Sequence, residues 1–320
     1  MSSYAELLRA LVDAVRRGRR VAFCTVVGSH GSTPQAAGAS LILNEDMSTQ
    51  GTLGGGCVEA EVRKRAFELL QQGKSELLTF TLNHDYGWDD GLICGGTMKI
   101  AVATIDSPDA TAVFAKAAAD LDAGFDIRLP LHVTNQAGSI EEYRLFIEAP
   151  AKLIIAGAGH VGAELARLAV KLDFQVWVFD DRGDMMGPER LPAPIQPVVG
   201  DSGGRLREFA IDGNTYVVIV TRGHSNDEKA LHAVIQSPAR YVGMIGSRRK
   251  VKLIFDDLAA LGVDRGLLTR VHAPIGLPIG AVTVPEIAVS ILAQMIEVRR
   301  AEKPAHVEGP FEISAALARA

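Results

Sequence analysis

The stretch that most constrains the fold of this 320-residue chain is 151–182, where a strand, a glycine turn, a helix and a second strand follow one another. The apolar run KLIIAG leads into GAGHVG, in which Gly157, Gly159 and Gly162 form a GxGxxG pattern, and then into AELARLAVKL. The first glycine permits a tight turn, the second lets a phosphate approach the backbone, and the third lets the helix pack closely on the strand. This context predicts a βαβ unit that binds a nucleotide-like ligand, with packing alone as the alternative reason for the glycines.

Strands and helices keep alternating after this unit. TYVVIVTRG and YVGMIGS have the pattern of buried strands, and DEKALHAVIQ and RRKVKLIFDDLAALG have the pattern of helices. Alternation of this kind builds a parallel sheet with helices on both faces. The chain is therefore predicted to be an α/β protein whose second domain, 150–320, contains a doubly wound parallel sheet.

Ligands of such sheets bind outside the carboxyl ends of the strands, so candidate ligand-binding residues are expected at that edge. Asp180 or Asp181 ends the strand after the glycine turn, where a carboxylate can accept hydrogen bonds from ribose hydroxyls. The loops TRGHSND and GSRRK follow the next two strands at the same edge. Together with the turn, they supply the further candidates His160, Arg222, His224 and Arg248. Taken singly, each loop residue could equally be a surface charge or a helix cap. The glycine turn itself suits NAD, a nucleotide or another phosphate-bearing cofactor.

The first 125 residues lack this regular alternation and predict a mixed α+β domain. An amphipathic helix opens the chain, helical spacing returns after Cys57, and a connecting helix is predicted at 110–125. Strands are predicted at 21–28, 39–44, 76–83 and 97–105. The polar loop GSHGSTPQAAGAS follows the first strand, and its composition fits either a binding loop or a hairpin connection.

A lone thiol stands at the start of a predicted helix in TLGGGCVEAEVRKRAFELL. Gly54, Gly55 and Gly56 precede Cys57, where they would let a ligand approach and expose N–H groups to an anion. The helix N-terminus favours negative charge, so we expect a lowered pKa for the Cys57 thiol and a role as nucleophile, sulfur relay or soft-metal ligand. It is equally consistent with the sequence that Cys57 only fills a small buried site behind the glycines. Cys94, beside glycines in ICGG, repeats the arrangement and favours the functional one.

Composition and charge exclude several classes of protein. The formal net charge of −5, without a run of basic residues, gives no footprint for nucleic acid. No run approaches the roughly 18 to 20 apolar residues of a membrane span, so we expect no membrane association and a cytoplasmic location. The 3 cysteines lack CxxC spacing and are expected to be reduced thiols, with Cys24 in the core.

Seven segments of the chain, taken in order, resemble the XdhC/CoxI family of xanthine dehydrogenase accessory proteins. They are GSHGSTPQAAGASLIL, GTLGGGCVEAEV, CGGTMKI, LIIAGAGHVGAELARLA, VTRGHSNDEKAL, YVGMIGSRRK and APIGLPIGAVTVPEIAVSILAQMI. The resemblance implies an N-terminal CoxI-like domain, assigned to 1–125, and a C-terminal Rossmann-like domain. It also implies a homodimeric chaperone, not a catalyst, that protects the molybdenum cofactor while a cysteine desulfurase supplies sulfur. Such a chaperone then inserts the cofactor into xanthine dehydrogenase or a related molybdenum hydroxylase.

The resemblance also gives the candidate residues their roles. Cys57 becomes a transient molybdenum ligand or sulfur acceptor, and Cys94 is the second candidate for this chemistry. The glycine turn would hold the phosphate of molybdopterin, or the pyrophosphate and ribose of its dinucleotide form. Two alternatives remain. One is an NAD(P)-dependent oxidoreductase, although no tyrosine is followed four residues later by lysine. The other is a sulfurtransferase that carries a persulfide on Cys57.

Overall fold

The computed structural model describes residues 4–82, 96–301 and 305–312. These residues form two compact units. The first contains the described residues up to 149 together with 305–312, and the second contains 150–301. Among the described residues, no helix combines the length and the apolar character that a membrane span requires.

The two units differ in how their helices and strands follow one another. The first contains α1 (Tyr4–Arg16), β1 (Val21–His30), β2 (Ser40–Asn44), β3 (Thr49–Gly51), α2 (Gly56–Gln72), β4 (Glu76–Thr81), β5 (Thr97–Ile105), α3 (Pro108–Asp122), β6 (Ile127–Thr134) and β7 (Ile140–Ile147). The second contains β8 (Lys152–Ala156), α4 (His160–Val170), β9 (Gln175–Asp180), β10 (Gln196–Val199), α5 (Ser202–Glu208), β11 (Thr215–Ile219), α6 (His224–Val234), β12 (Tyr241–Met244), α7 (Arg248–Ala260), α8 (Arg265–Leu268) and α9 (Val284–Arg300). The last strand, β13 (Val307–Glu312), belongs to the first unit.

Strands from the described residues form the mixed sheet of the first unit, in the order β13-β7-β6-β4-β5-β1-β2-β3. β1 lies inside this sheet and is antiparallel to β2 on one side and to β5 on the other. Phe23 is buried on the face that α1 and α3 cover, and Cys24 on the face that α2 covers. Burial on both faces explains why the run VAFCTVV is apolar except at Thr25. It also raises the pKa of the Cys24 thiol to about 12, as expected of a core residue.

The last described strand lies in the first unit, whereas the predicted second domain, 150–320, included it. β13 pairs antiparallel with β7, and Val307 stands opposite Leu145. Residues 126–149, which the predicted domains left out, supply β6 and β7 of the same sheet. The physical reason is that β13 satisfies the backbone hydrogen-bonding groups along one edge of β7, and strand pairing of this kind depends on proximity in space.

The second unit confirms the predicted doubly wound parallel sheet. Its strands are all parallel and lie in the order β10-β9-β8-β11-β12. α4 and α9 pack on one face, and α6 and α7 pack on the other. The chain order reverses between β8 and β11, and the crevice at such a reversal is where doubly wound sheets bind ligands. The loops after these two strands contain the glycine turn and the residues Thr221 and Arg222.

Candidate functional site

Packing accounts for two of the three glycines in the turn between β8 and α4. Gly157 has a φ of +116°, and a Cβ there would lie 2.5 Å from the carbonyl oxygen of Val220. A Cβ on Gly162 would lie 1.9 Å from the carbonyl oxygen of Gly157. Gly159 differs, because its φ is −62° and an added Cβ would meet no atom within 4 Å. The space in front of Gly159, at the N-terminus of α4, is therefore open to a ligand.

The carboxylate of Asp180, one of the two predicted ribose acceptors, is engaged by the protein itself. Asp180 is buried at the end of β9, and its two oxygens accept hydrogen bonds from Nε and Nη2 of Arg182 at 2.8 and 2.9 Å. The N–H of Ala158 also donates to Oδ2 at 2.7 Å. Burial raises the pKa of Asp180, but these hydrogen bonds outweigh it and lower the pKa to about 2. Asp180 therefore fastens the glycine turn to β9, and Asp181 is the carboxylate that faces solvent.

A small cleft opens at the carboxyl edge of this sheet. Its lining residues are Gly157, Asp180, Asp181, Asp201, Ser202, Thr221, Arg222 and Asn226. Arg222 and Asp181 are both exposed, with Nη2 of the arginine 3.9 Å from Oδ1 of the aspartate. The fold thus brings together the glycine turn, Asp181 and Arg222, which lie on three separate loops of the sequence.

A buried carboxylate holds the loop that carries Arg222. Asp227, in the first turn of α6, accepts hydrogen bonds from the backbone N–H of Thr221 at 3.1 Å and from its hydroxyl at 2.5 Å. Asp227 also forms an ion pair with Lys250 of α7. These contacts give Asp227 a structural role, in which it orients Thr221 and Arg222.

Three other predicted ligands are the first residues of helices and are exposed. His160 begins α4, His224 begins α6 and Arg248 begins α7. All three helices start at the carboxyl edge of the sheet, where α4 follows the glycine turn. None of the three side chains is among the described residues that line the cleft.

Two arginines at the glycine turn did not stand out in the sequence. Arg182 pairs with Asp180, and Nε of Arg190 donates to the carbonyl oxygen of Ala158 at 2.9 Å. Both come from the connection between β9 and β10, which lacks helical or strand periodicity over most of its length. Their contacts depend on how this connection folds over the turn. The only local signal was the three charged residues of DDR, which include Arg182 but not Arg190.

In the first unit, Cys57 is the second residue of α2 and is partly exposed. Gly54, Gly55 and Gly56 all have positive φ, at +109°, +72° and +66°, so each position favours glycine. A Cβ on Gly54 would lie 2.9 Å from Cβ of Pro34, which places the loop after β1 against the glycine loop. A Cβ on Gly55 or Gly56 would meet no atom within 4 Å, so the approach to these two residues is open.

A carboxylate that the sequence did not reveal holds this glycine loop. Oε2 of Glu59 accepts hydrogen bonds from the N–H groups of Leu53 at 2.8 Å and Gly55 at 3.0 Å. Burial raises the pKa of Glu59, but its hydrogen bonds outweigh that effect and lower the pKa. The N–H groups of Gly56 and Cys57 have no acceptor within the described part of the chain. An anion at the start of α2 would therefore meet Gly56 and Cys57 and not the whole loop.

The glycine turn lies in the second unit and the glycine loop with Cys57 lies in the first, and each is described by its own contacts. Within 4–82, 96–301 and 305–312, no group of three or more His, Cys, Asp or Glu side chains is arranged to hold a metal ion. Among these described residues, Cys57, the predicted metal ligand, therefore belongs to no such group. Cys94 lies outside the described residues.

Family models match both units. Residues 153–295 match the model of the XdhC Rossmann domain, and residues 14–81 match the model of the XdhC and CoxI family. The first match contains the glycine turn, and the second contains the glycine loop with Cys57.

Several known proteins are similar to most of this chain. The protein YqeB of Escherichia coli, whose function is uncharacterised, is 29% identical over 90% of this chain, but the chain spans only 46% of its length. A Bacillus subtilis protein, described as a probable subunit of xanthine dehydrogenase, is 24% identical, with 94% of this chain and 98% of that protein covered. The molybdenum cofactor insertion chaperone PaoD of Escherichia coli is also 24% identical, with 92% and 88% covered.

A solved structure supports the fold. The crystal structure of a protein described as a xanthine dehydrogenase from Bacillus halodurans superposes with a TM-score of 0.81 at 24% identity. The superposition covers 95% of this chain and 98% of that protein. At this identity, the likeness concerns the arrangement of helices and strands.

Proposed function

We propose, since the chain belongs to the XdhC and CoxI family, that it is a carrier of the molybdenum cofactor. The carrier binds the cofactor, protects it during sulfuration, and inserts it into xanthine dehydrogenase or a related molybdenum hydroxylase. PaoD, named as an insertion chaperone for this cofactor, and the B. subtilis relative, named as a probable part of xanthine dehydrogenase, support this assignment. Its role is maturation of another enzyme, so the chain itself need not catalyse a reaction.

The observation that carries the proposal is the partly exposed thiol of Cys57 at the N-terminus of α2. Molybdenum is thiophilic, and a cysteine sulfur within reach of solvent suits a transient ligand or an acceptor of sulfur. The open approach over Gly55 and Gly56 leaves room for a bulky cargo next to this sulfur. Cys24 cannot replace it, because Cys24 is fully buried in the sheet.

The glycine turn of the second unit is the proposed site for a phosphate of a ligand. The open space at Gly159 and the start of α4 suit the phosphate of molybdopterin, or the pyrophosphate of a dinucleotide form or of NAD(P). Asp181 is the carboxylate available for a ribose. The proposal includes a cytoplasmic homodimer that receives sulfur from a cysteine desulfurase.

Equilibrium binding of the purified protein to the molybdenum cofactor, and separately to NAD and NADP, tests this function. We expect wild type to retain the cofactor and Cys57→Ala to retain or sulfurate it less, at an unchanged melting temperature. Cys24→Ala is the matched control: it also removes a thiol, but from the core, so it should lower the melting temperature and preserve binding. Equal retention by wild type and Cys57→Ala would remove Cys57 from the mechanism.

The same measurement separates the alternatives. Tight binding of NAD(P) without retention of the molybdenum cofactor would favour an oxidoreductase. Uptake of labile sulfur by Cys57 in the absence of the cofactor would favour a sulfurtransferase.

A further inference from the structure

The connection between β9 and β10 places an arginine against the glycine turn. Arg190 is half-buried, and its Nε donates to the carbonyl oxygen of Ala158 at 2.9 Å. This carbonyl belongs to the peptide that joins Ala158 to Gly159, so the guanidinium lies beside the residue with open space in front of it. We infer that Arg190 binds the phosphate of the ligand at the glycine turn, an inference that rests on the function proposed for that turn.

The donors of Arg190 suit this role. A guanidinium has five N–H donors in a planar fork that matches two oxygens of a phosphate. One donor is used on Ala158, and the four on Nη1 and Nη2 have no acceptor among the described residues. The bond to the turn holds the side chain in place before a ligand arrives, which reduces the rotamer entropy lost on binding.

The other two arginines near the turn are less well placed. Both oxygens of Asp180 accept hydrogen bonds from Arg182, so this guanidinium is occupied by a buried carboxylate. The side chain of Arg222 is 64% exposed and lies 3.9 Å from Asp181, so it must lose hydration and freedom before it holds a ligand. Within the described part of the second unit, Arg190 is the arginine that is fixed to the turn without a carboxylate partner.

This arrangement also determines what the turn recognises. Asp180, which would ordinarily contact ribose hydroxyls, is engaged with Arg182 and Ala158. With the guanidinium of Arg190 held at the peptide between Ala158 and Gly159, the turn selects a phosphate group. Its affinity for a phosphorylated ligand therefore exceeds its affinity for the same ligand without phosphate.

Calorimetric titration of wild type, Arg190→Gln and Arg190→Lys tests the inference. The probes are the molybdenum cofactor under anaerobic conditions, the same cofactor after enzymatic removal of its phosphate, and inorganic pyrophosphate. Arg167→Gln is the matched control, because it removes the same charge near the far end of α4, where Arg167 pairs with Glu164. Thermal unfolding of every variant reports whether the fold is intact.

We expect Arg190→Gln to bind the phosphorylated cofactor and pyrophosphate about tenfold to a hundredfold more weakly, as for a lost charge-assisted hydrogen-bond pair. Binding of the dephosphorylated cofactor should not change, Arg190→Lys should be intermediate, and Arg167→Gln should match wild type. If Arg190→Gln does not fold, the weaker phosphate binding of a folded Arg190→Lys carries the test.

Two results would overturn the inference alone. One is unchanged binding of the phosphorylated probes by Arg190→Gln. The other is an equal loss for both forms of the cofactor, since this would mean that Arg190 only supports the shape of the turn. A wild-type protein that binds none of the three probes would instead overturn the proposed function, and the inference with it.

Discussion

Replacing Gly159 by alanine should weaken ligand binding at the glycine turn without unfolding the second unit. Gly159 has a φ of −62° and a ψ of −174°, which alanine adopts without strain. An added Cβ would meet no protein atom within 4 Å. Alanine is a poorer N-cap than glycine, but it also restricts the unfolded chain, and the two effects oppose each other. The free energy of unfolding should therefore change by less than about 1 kcal/mol.

The same methyl group would occupy the space that a phosphate needs. A hydrogen bond to a charged group contributes about 1.5–3 kcal/mol, so displacing the phosphate from one N–H weakens binding about tenfold to a hundredfold. Gly162→Ala is the contrasting variant, because its Cβ would lie 1.9 Å from the carbonyl oxygen of Gly157. Overpacking of this kind costs about 1–3 kcal/mol or more, so Gly162→Ala should lower the melting temperature.

Circular dichroism and calorimetric titration with the molybdenum cofactor measure both quantities. The expected pattern is a wild-type melting temperature with weak binding for Gly159→Ala, and a lowered melting temperature for Gly162→Ala. Wild-type affinity in Gly159→Ala would refute the reasoning, because the phosphate would then not lie in the open space at the turn. A large fall in the melting temperature of Gly159→Ala would refute the packing argument.

Two further predictions concern carboxylates that hold the loops. Asp180→Asn should destabilise the second unit by about 2 kcal/mol at pH 7. The reason is that folding lowers the pKa of Asp180 to about 2 from an ordinary value of 3.8. A lowered pKa stabilises the fold at pH values above the ordinary pKa of the carboxyl. The difference in unfolding free energy between Asp180→Asn and wild type should therefore shrink as the pH falls from about 5 towards 2. Denaturant titrations in which the two proteins do not converge would contradict this assignment. Glu59→Gln should cost about 1 kcal/mol by weakening the bonds to Leu53 and Gly55 at the start of α2. Glu68→Gln, near the other end of α2, is its control and should be neutral or slightly stabilising. An equal loss of unfolding free energy in both variants would mean that the hydrogen bonds of Glu59 do not matter.

Adjacent carboxylates show where prediction from the sequence stopped. Spacing from the glycine turn identified Asp180 and Asp181 as ribose acceptors, but it did not choose between them. Successive side chains at the end of a strand point to opposite sides, so one of the two had to differ from the other. The contacts of Asp180 with Arg182 and Ala158 assign it to the interior and leave Asp181 exposed.

Patterns in the amino-acid sequence were enough to predict the parallel sheet of the second unit, the purposes of Gly157 and Gly162, and the helix that begins beside Cys57. These are local properties, because strand periodicity, a left-handed turn and a helix start depend on residues that are near in sequence. By contrast, the pairing of β13 with β7 and the contact of Arg190 with the glycine turn became known from the folded chain. Such contacts join distant segments, and their free energy depends on packing and hydrogen bonds that form only when the chain has folded.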